Sequence, residues 1–202
     1  MNTDKDRFNF KNLDIEFVNK TTVIRFSRPE IKNPLSVKTL EEIKEIFTFS
    51  DSDSQIKTVI FTGSGDTFAS GANLNEVARL MEKTATEFGW RGQRLLQEIY
   101  NSSKNTIAVI DGFCLGGALD LALSCKKRIA SPRSVFAHPG ARLGIITGWG
   151  GTQLLPRLVG RKKALEILLT AKRISAEEAL KIGLIDEICE NPLEKSLANQ
   201  SQ

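Results

Sequence analysis

Short β-prone apolar runs and stretches of helical periodicity take turns along the chain. Residues 13–18 ("LDIEFV") and 21–26 ("TTVIRF") are separated only by "NK", a spacing that predicts an antiparallel hairpin. From Val37 the period changes: Val37, Leu40, Ile43, Ile46 and Phe47 recur at helical spacing, Lys and Glu fill the other face, and Ser36 stands where an N-cap belongs. "IKTVIFTG" (56–63) and "TIAVIDG" (106–112) are continuous apolar runs that predict buried strands. Between them, residues 74–102 predict a helical stretch broken near Thr84 or Gly89, with Leu95, Leu96, Ile99 and Tyr100 as its apolar stripe.

The stretch "DGFCLGGALDLALSC" (111–125) predicts a buried helix that gives way to a short strand at "KRIAS". "GRKKALEILL" predicts the exposed start of an amphipathic helix. Near the end, "SAEEALKIG" carries a capping box from Ser175 to Glu178 and a stop at Gly183, ahead of a last strand "LIDEIC". Strands alternating with helices imply an α/β domain whose strands are covered on both faces. With no internal repeat and no low-complexity linker, the 202 residues fit a single domain over 13–190, with tails at 1–12 and 191–202.

Composition narrows the class. Cys114, Cys125 and Cys189 are odd in number, widely spaced and outside any C-x-x-C context, which predicts neither a disulfide framework nor a metal site and suits a reducing compartment. "MNTDKDRFNF" lacks the apolar core of a signal peptide, and no run approaches the roughly 18 apolar residues of a membrane span, so a cytoplasmic protein without membrane partners is expected. The net charge of +4 is spread among 24 acids with no aromatic-rich basic stripe, which argues against a nucleic-acid partner.

Two glycine-rich turns stand out, "TGSGDTFASGANLNE" (62–76) and "DGFCLGGALD" (111–120), each after a buried strand and before a helix. At such places N–H groups without intrahelical partners point outward, the helix dipole favours negative charge, and glycine lets a ligand approach the main chain. The arrangement suits a phosphate or an oxyanion developing on a carbonyl. No G-x-x-x-x-G-K-[ST] is present, and Phe68 occupies the place of the third glycine in a dinucleotide fingerprint. The same glycines also serve tight turns and close helix packing with no ligand at all. The lone acid Asp120 is either a proton-transfer group or a complement to the dipole of its helix. His138, the single histidine, is either a proton carrier or a packed, capping residue.

Five segments in order, "RPEIKNPLS" (28–36), "FASGANLNE" (68–76), "DGFCLGGALDLALSC" (111–125), "GWGGTQLLPRLVG" (148–160) and "SAEEALKIGLIDEI" (175–188), resemble the corresponding segments of the crotonase superfamily, the enoyl-CoA hydratase/isomerase family. The resemblance spans roughly residues 13–190 and implies a ββα superhelix in which two loop-borne amides grip the thioester oxygen of an acyl-CoA. Coenzyme A arrives as part of the substrate, and no separate cofactor or metal is implied. Matched position by position, the donors are the N–H groups of Ala72 and Gly117. Losing one such donor typically costs about 3 kcal/mol of barrier. Ser70, Asn73, Leu74, Leu115 and Gly116 flank them as substrate-binding positions.

The family's hydratases carry a glutamate three residues after the second donor, and Asp120 holds that place, one methylene shorter. A shortfall of that size can cost on the order of 100-fold. The second glutamate matches Gly140, which has no side chain to offer; Gly140 and His138, two residues earlier, are counted with the substrate-binding positions. Lys32 and Arg28, in the first segment, are candidates for the CoA phosphates. Asn73 replaces an aspartate usual in the family. Relatives commonly continue past "LIDEICENPLEK" with helices that cover the acyl-CoA and build trimers, so the resemblance implies a shortened member and a homo-oligomer, trimer or hexamer. The implied activity is a hydratase-like lyase reaction of a thioester enolate. The alternatives are decarboxylation or hydrolysis through the same enolate, or a non-catalytic acyl-CoA binder that lost the glutamate pair.

Overall fold

A computed structural model describes residues 8–200. Strands β1 (Leu13–Val18) and β2 (Thr21–Phe26) form the expected antiparallel hairpin, with Leu13 opposite Phe26. Helix α1 (Val37–Ser52) follows, its Ser36 side chain accepting from Thr39 N at 3.0 Å. Then a unit repeats: a strand of one sheet, a short strand of a second, and a helix. The first pass is β3 (Thr58–Thr62), β4 (Thr67–Ala69), α2 (Leu74–Val77) and α3 (Glu82–Asn101). The second is β5 (Asn105–Ile110), β6 (Phe113–Leu115) and α4 (Gly117–Ser124), and the third β7 (Lys127–Ala130), β8 (Val135–Ala137), α5 (Gly151–Val159) and α6 (Arg161–Thr170). β9 (Ile174–Ser175), α7 (Ala176–Lys181), β10 (Glu187–Ile188) and α8 (Pro192–Ala198) complete the chain.

The larger sheet has the order β1-β2-β3-β5-β7-β10 and is parallel from β2 onward; the smaller has the order β4-β6-β8-β9, parallel up to β8. This is the ββα superhelix in outline. Alternation along the buried strands explains the layering. Val59, Phe61, Ala108 and Ile110 join the main core with Leu40, Ile43 and Phe47 of α1, whereas Ile60, Ile107, Val109 and Ile129 point to the other face. That second face is covered by Leu193 and Leu197 of α8.

Helix α8 corrects the expectation of a loose tail from 191: a polar segment with two leucines four apart becomes a helix because the sheet's second apolar face needs a cover. Residues 8–12 are docked as well. Phe8 and Phe10 pack on the core, and the buried carboxylate of Glu42 accepts from Lys11 N (3.1 Å) and Asn12 N (3.0 Å). Residues 1–7 of the expected N-terminal tail lie outside the described part. The break in 74–102 falls at 78–81 rather than at Thr84 or Gly89. Thr84 starts α3 instead, its Oγ1 accepting from Met81 N at 2.9 Å. Only half of the expected capping box forms: Ser175 Oγ accepts from Glu178 N, while the Glu178 carboxylate is taken by Lys172 at 2.7 Å.

Candidate active site

Parallel pairing of β4 with β6 places Ala69 beside Cys114, so the two glycine-rich turns leave the small sheet side by side. Their backbones touch. A Cβ built on Gly71 would lie 2.6 Å from Leu115 O and 3.1 Å from Gly117 N, and Gly71 has φ +95°, so only glycine fits. The loop 28–36 clamps the first turn from outside: Ser70 N donates to Lys32 O (3.0 Å), Leu35 N to Gly71 O (2.8 Å) and Asn73 N to Leu35 O (3.2 Å). Buried Asn33 secures that loop, its Nδ2 donating to Thr67 O at 2.7 Å and its Oδ1 accepting from Arg28 N at 2.9 Å.

None of these bonds uses Ala72 N. In the second turn Gly116 N donates to Ala137 O at 2.9 Å, and Gly116 adopts φ +53°, ψ −123°, a backbone state closed to most side chains. Gly117 then opens α4, and its N–H, in the first helical turn, has no intrahelical acceptor. Among the described residues neither the Ala72 N–H nor the Gly117 N–H has a hydrogen-bond partner.

Both groups border a cavity of about 280 Å³. Ser70, Gly71, Gly116, Asp120, His138 and Gly140 line it too, and Leu74, Val77, Phe88, Ile145 and Trp149 give it an apolar surface. Three expected binding positions are not part of this lining. Lys32 Nζ is paired with Asp66 at 2.8 Å on the surface, the Asn73 side chain caps α2 by accepting from Asn75 N at 3.0 Å, and Leu115 is used through its carbonyl against Gly71. Arg28 is likewise engaged, with Glu30 at 2.5 Å.

Asp120 has no exposed surface. Thr147 Oγ1 donates to its Oδ2, while Oδ1 has no hydrogen-bond partner and stands 3.4 Å from His138 Nε2. Burial pushes the Asp120 carboxyl up to about 7, against the opposing pull of the Thr147 hydroxyl and the nearby peptide N–H groups of Trp149 and Gly151. Burial acts on His138 in the other sense and pushes it down to about 4. Neither ring nitrogen of His138 has a partner among the described residues.

The gap at Gly140 is closed by backbone. Ile145 N donates to Gly140 O at 3.0 Å, and a Cβ on Gly140 would lie 2.7 Å from Ile145 O, so the turn excludes any side chain there. Gly151 makes room for the acid: its Cβ would fall 2.1 Å from Asp120 Oδ1. Trp149, in the loop before α5, is buried between two helices, since a Cβ on Gly92 of α3 or on Gly117 of α4 would strike its ring at 2.3 or 2.4 Å. Sequence reasoning did not single out Gly92 or Gly151. The one available signal was Gly92 inside the helix-forming stretch "WRGQRLLQE"; Gly151 stands in a glycine-rich turn.

Among the described residues there is no cluster of three or more His, Cys, Asp or Glu side chains placed to hold a metal ion, and no helix is long and apolar enough to cross a membrane. Chemically, the cavity offers two free peptide donors beside a buried acid and an imidazole within apolar walls. That set can polarise a carbonyl and move a proton at its α-carbon.

Known proteins share this arrangement of chain. The family model described as Enoyl-CoA hydratase/isomerase matches residues 16–199. The chain is 41% identical over 180 residues to a crotonyl-CoA hydratase of Syntrophomonas wolfei, covering 89% of this chain and 69% of that one. It is 37% identical, with the same shares covered, to a short-chain-enoyl-CoA hydratase of Clostridium acetobutylicum. The crystal structure of an enoyl-CoA hydratase from Bacillus anthracis superposes with a TM-score of 0.90 at 32% identity, covering 95% of this chain and 76% of that one.

Proposed function

The chain belongs to the enoyl-CoA hydratase/isomerase family, and from that premise we propose that it hydrates a short 2-enoyl-CoA thioester. The observation that carries this reading is the pair of unpartnered N–H groups, Ala72 and Gly117, bordering the same cavity as Asp120. The thioester oxygen sits between the two donors, which stabilise the charge it gains when water adds to the β-carbon. Asp120 is the proton-transfer group for the α-carbon, one helical turn past Gly117 on α4. The family's usual glutamate pair is absent at Asp120 and Gly140, yet an acid held up to about 7 by burial is suited to give a proton at neutral pH.

Trp149 and Phe88, with ring centres 5.4 Å apart, line the cavity together, and a short acyl chain is proposed to pack against them. The relatives named for crotonyl-CoA and short-chain substrates point the same way. The test is hydration of crotonyl-CoA, followed by loss of the conjugated thioester absorbance. Wild type turns over, and D120N lowers kcat by about 10²–10⁴-fold. Failure of wild type on every 2-enoyl-CoA tried, or an unchanged kcat in D120N, rejects the reading.

A further inference from the structure

Three buried polar atoms of the cavity lack hydrogen-bond partners among the described residues, and all three belong to one pair: Asp120 Oδ1, His138 Nδ1 and His138 Nε2. Unpaired buried polar groups are costly and uncommon, so three at one spot in a cavity mark a place that a ligand completes. His138 is 2% exposed and borders the cavity from the end of β8, while Asp120 borders it from α4. The Thr147 hydroxyl fixes Oδ2 and leaves Oδ1 toward the imidazole. The closed backbone at Gly140 leaves no room for a carboxylate there.

We propose, resting on the hydratase reading above, that His138 is the second proton-transfer residue of this site, taking the proton of the attacking water at Nε2 while Asp120, in its acid form, protonates the α-carbon. The water oxygen bonds to the β-carbon, and the C=C electron pair passes into the thioester enolate held by the Ala72 and Gly117 amides. The water's proton goes to Nε2, and the Asp120 proton goes to the α-carbon as the enolate collapses. This leaves imidazolium beside carboxylate, and the extra proton then crosses from Nε2 to Oδ1 and restores the start. One water is added and no proton is lost or gained.

Before and after each turnover the pair carries a single titratable proton and bears no net charge, and while the enolate stands its negative charge balances the imidazolium, which is what an apolar enclosure tolerates best. The 3.4 Å separation is long for a hydrogen bond, as catalytic contacts often are before substrate closes them. Of the titratable groups on the packed elements, Cys114 of β6 feels the Asp120 charge and is buried as a thiol, as is Cys125 at the end of α4. Arg142, in the turn after His138, and Glu87 and Arg91, on the packed helix α3, lie at the surface or bind one another. Among the described residues no lysine or arginine is paired with either member.

The experiment compares two reactions in wild type, H138Q and D120N: hydration of crotonyl-CoA, and, above about pH 7 where Asp120 is ionised, exchange of the α-hydrogens of butyryl-CoA in D₂O, in which the Asp120 carboxylate takes the α-proton, the amides hold the enolate and no water attacks. Expected for H138Q is a fall in hydration of at least about 100-fold with exchange reduced less than about tenfold, and loss of the acid limb of the kcat pH profile. D120N loses both reactions. Hydration by H138Q within about threefold of wild type overturns the role of His138 and leaves the hydratase reading standing. Equal loss of both reactions in H138Q also overturns it, because the histidine then only positions Asp120. Wild type that exchanges butyryl-CoA but hydrates no enoyl-CoA rejects the hydratase reading itself and the water-activating role with it.

Discussion

The cavity is built from two materials. Its donor side, Ala72 and Gly117, is main chain, located by the β4–β6 pairing and by the three hydrogen bonds that the 28–36 loop makes to residues 70–73. Its acid side is made of side-chain ends, Asp120, His138 and Thr147, delivered by α4, the end of β8 and the loop before α5. At Gly71 on the donor side the neighbours are backbone atoms, which cannot retreat; at Gly151 on the acid side they are side-chain atoms of Asp120 and Thr147, which can. Under the proposed function, the contrast would let the carbonyl-polarising half of the site stay fixed while its proton-transfer half changes.

Breaking each half separately makes the contrast measurable. The largest effect is expected from G71A. Its new methyl would meet Leu115 O at 2.6 Å in a positive-φ conformation, so the two turns must part. We expect kcat on crotonyl-CoA to fall by about 10²–10³-fold together with a stability loss of about 1–3 kcal/mol, read by denaturant midpoint. G151A instead pushes against the free end of Asp120, 2.1 Å from its Cβ. There kcat should fall by about 100-fold, as for a 1 Å misplacement, with little change in the midpoint. Equal stability costs in the two variants would erase the distinction between backbone and side-chain neighbours.

The smallest effect is the pH dependence of stability, and it sharpens the acid side alone. Folding raises Asp120 from the ordinary carboxylate range to about 7, so between about 4 and 7 the folded state binds more protons and its stability falls as pH rises. Folding lowers His138 from 6.5 to about 4, so over that window the unfolded chain binds more protons and stability rises with pH. In wild type the two slopes oppose. D120N should uncover the histidine slope, losing stability as pH falls from 6.5 toward 4, and H138Q the aspartate slope, losing it as pH rises from 4 toward 7. Denaturant midpoints across this range check both signs; the same slope in both variants would show that the pair is not held neutral.

Much of this was legible in the residues, and unevenly so. The hairpin, α1 and the apolar strands β3 and β5 follow from long runs with clear period, and the two glycine turns show as sequence because positive φ and close backbone approach demand that residue. The small sheet is harder to read: β4, β6 and β8 are three residues each, too short to carry a period. Helix α8 is polar enough to pass for a tail and is explained only by the apolar face it covers. On the acid side, the neighbourhood of Asp120 and His138 depends on the path of residues 140–151, where Gly140 and Gly151 set clearances that no local pattern encodes. Trp149 belongs with these, since its burial rests on Gly92, 57 residues earlier in helix α3.

The convergence of the Ala72 and Gly117 amides on one thioester oxygen is tested most directly by difference infrared spectroscopy of butyryl-CoA carrying ¹³C at the thioester carbonyl. On binding wild type, the carbonyl stretch should move to lower frequency, and the shift should shrink or vanish in G71A while D120N retains it. An unshifted stretch in wild type, or a shift of the same size in G71A, would contradict the account.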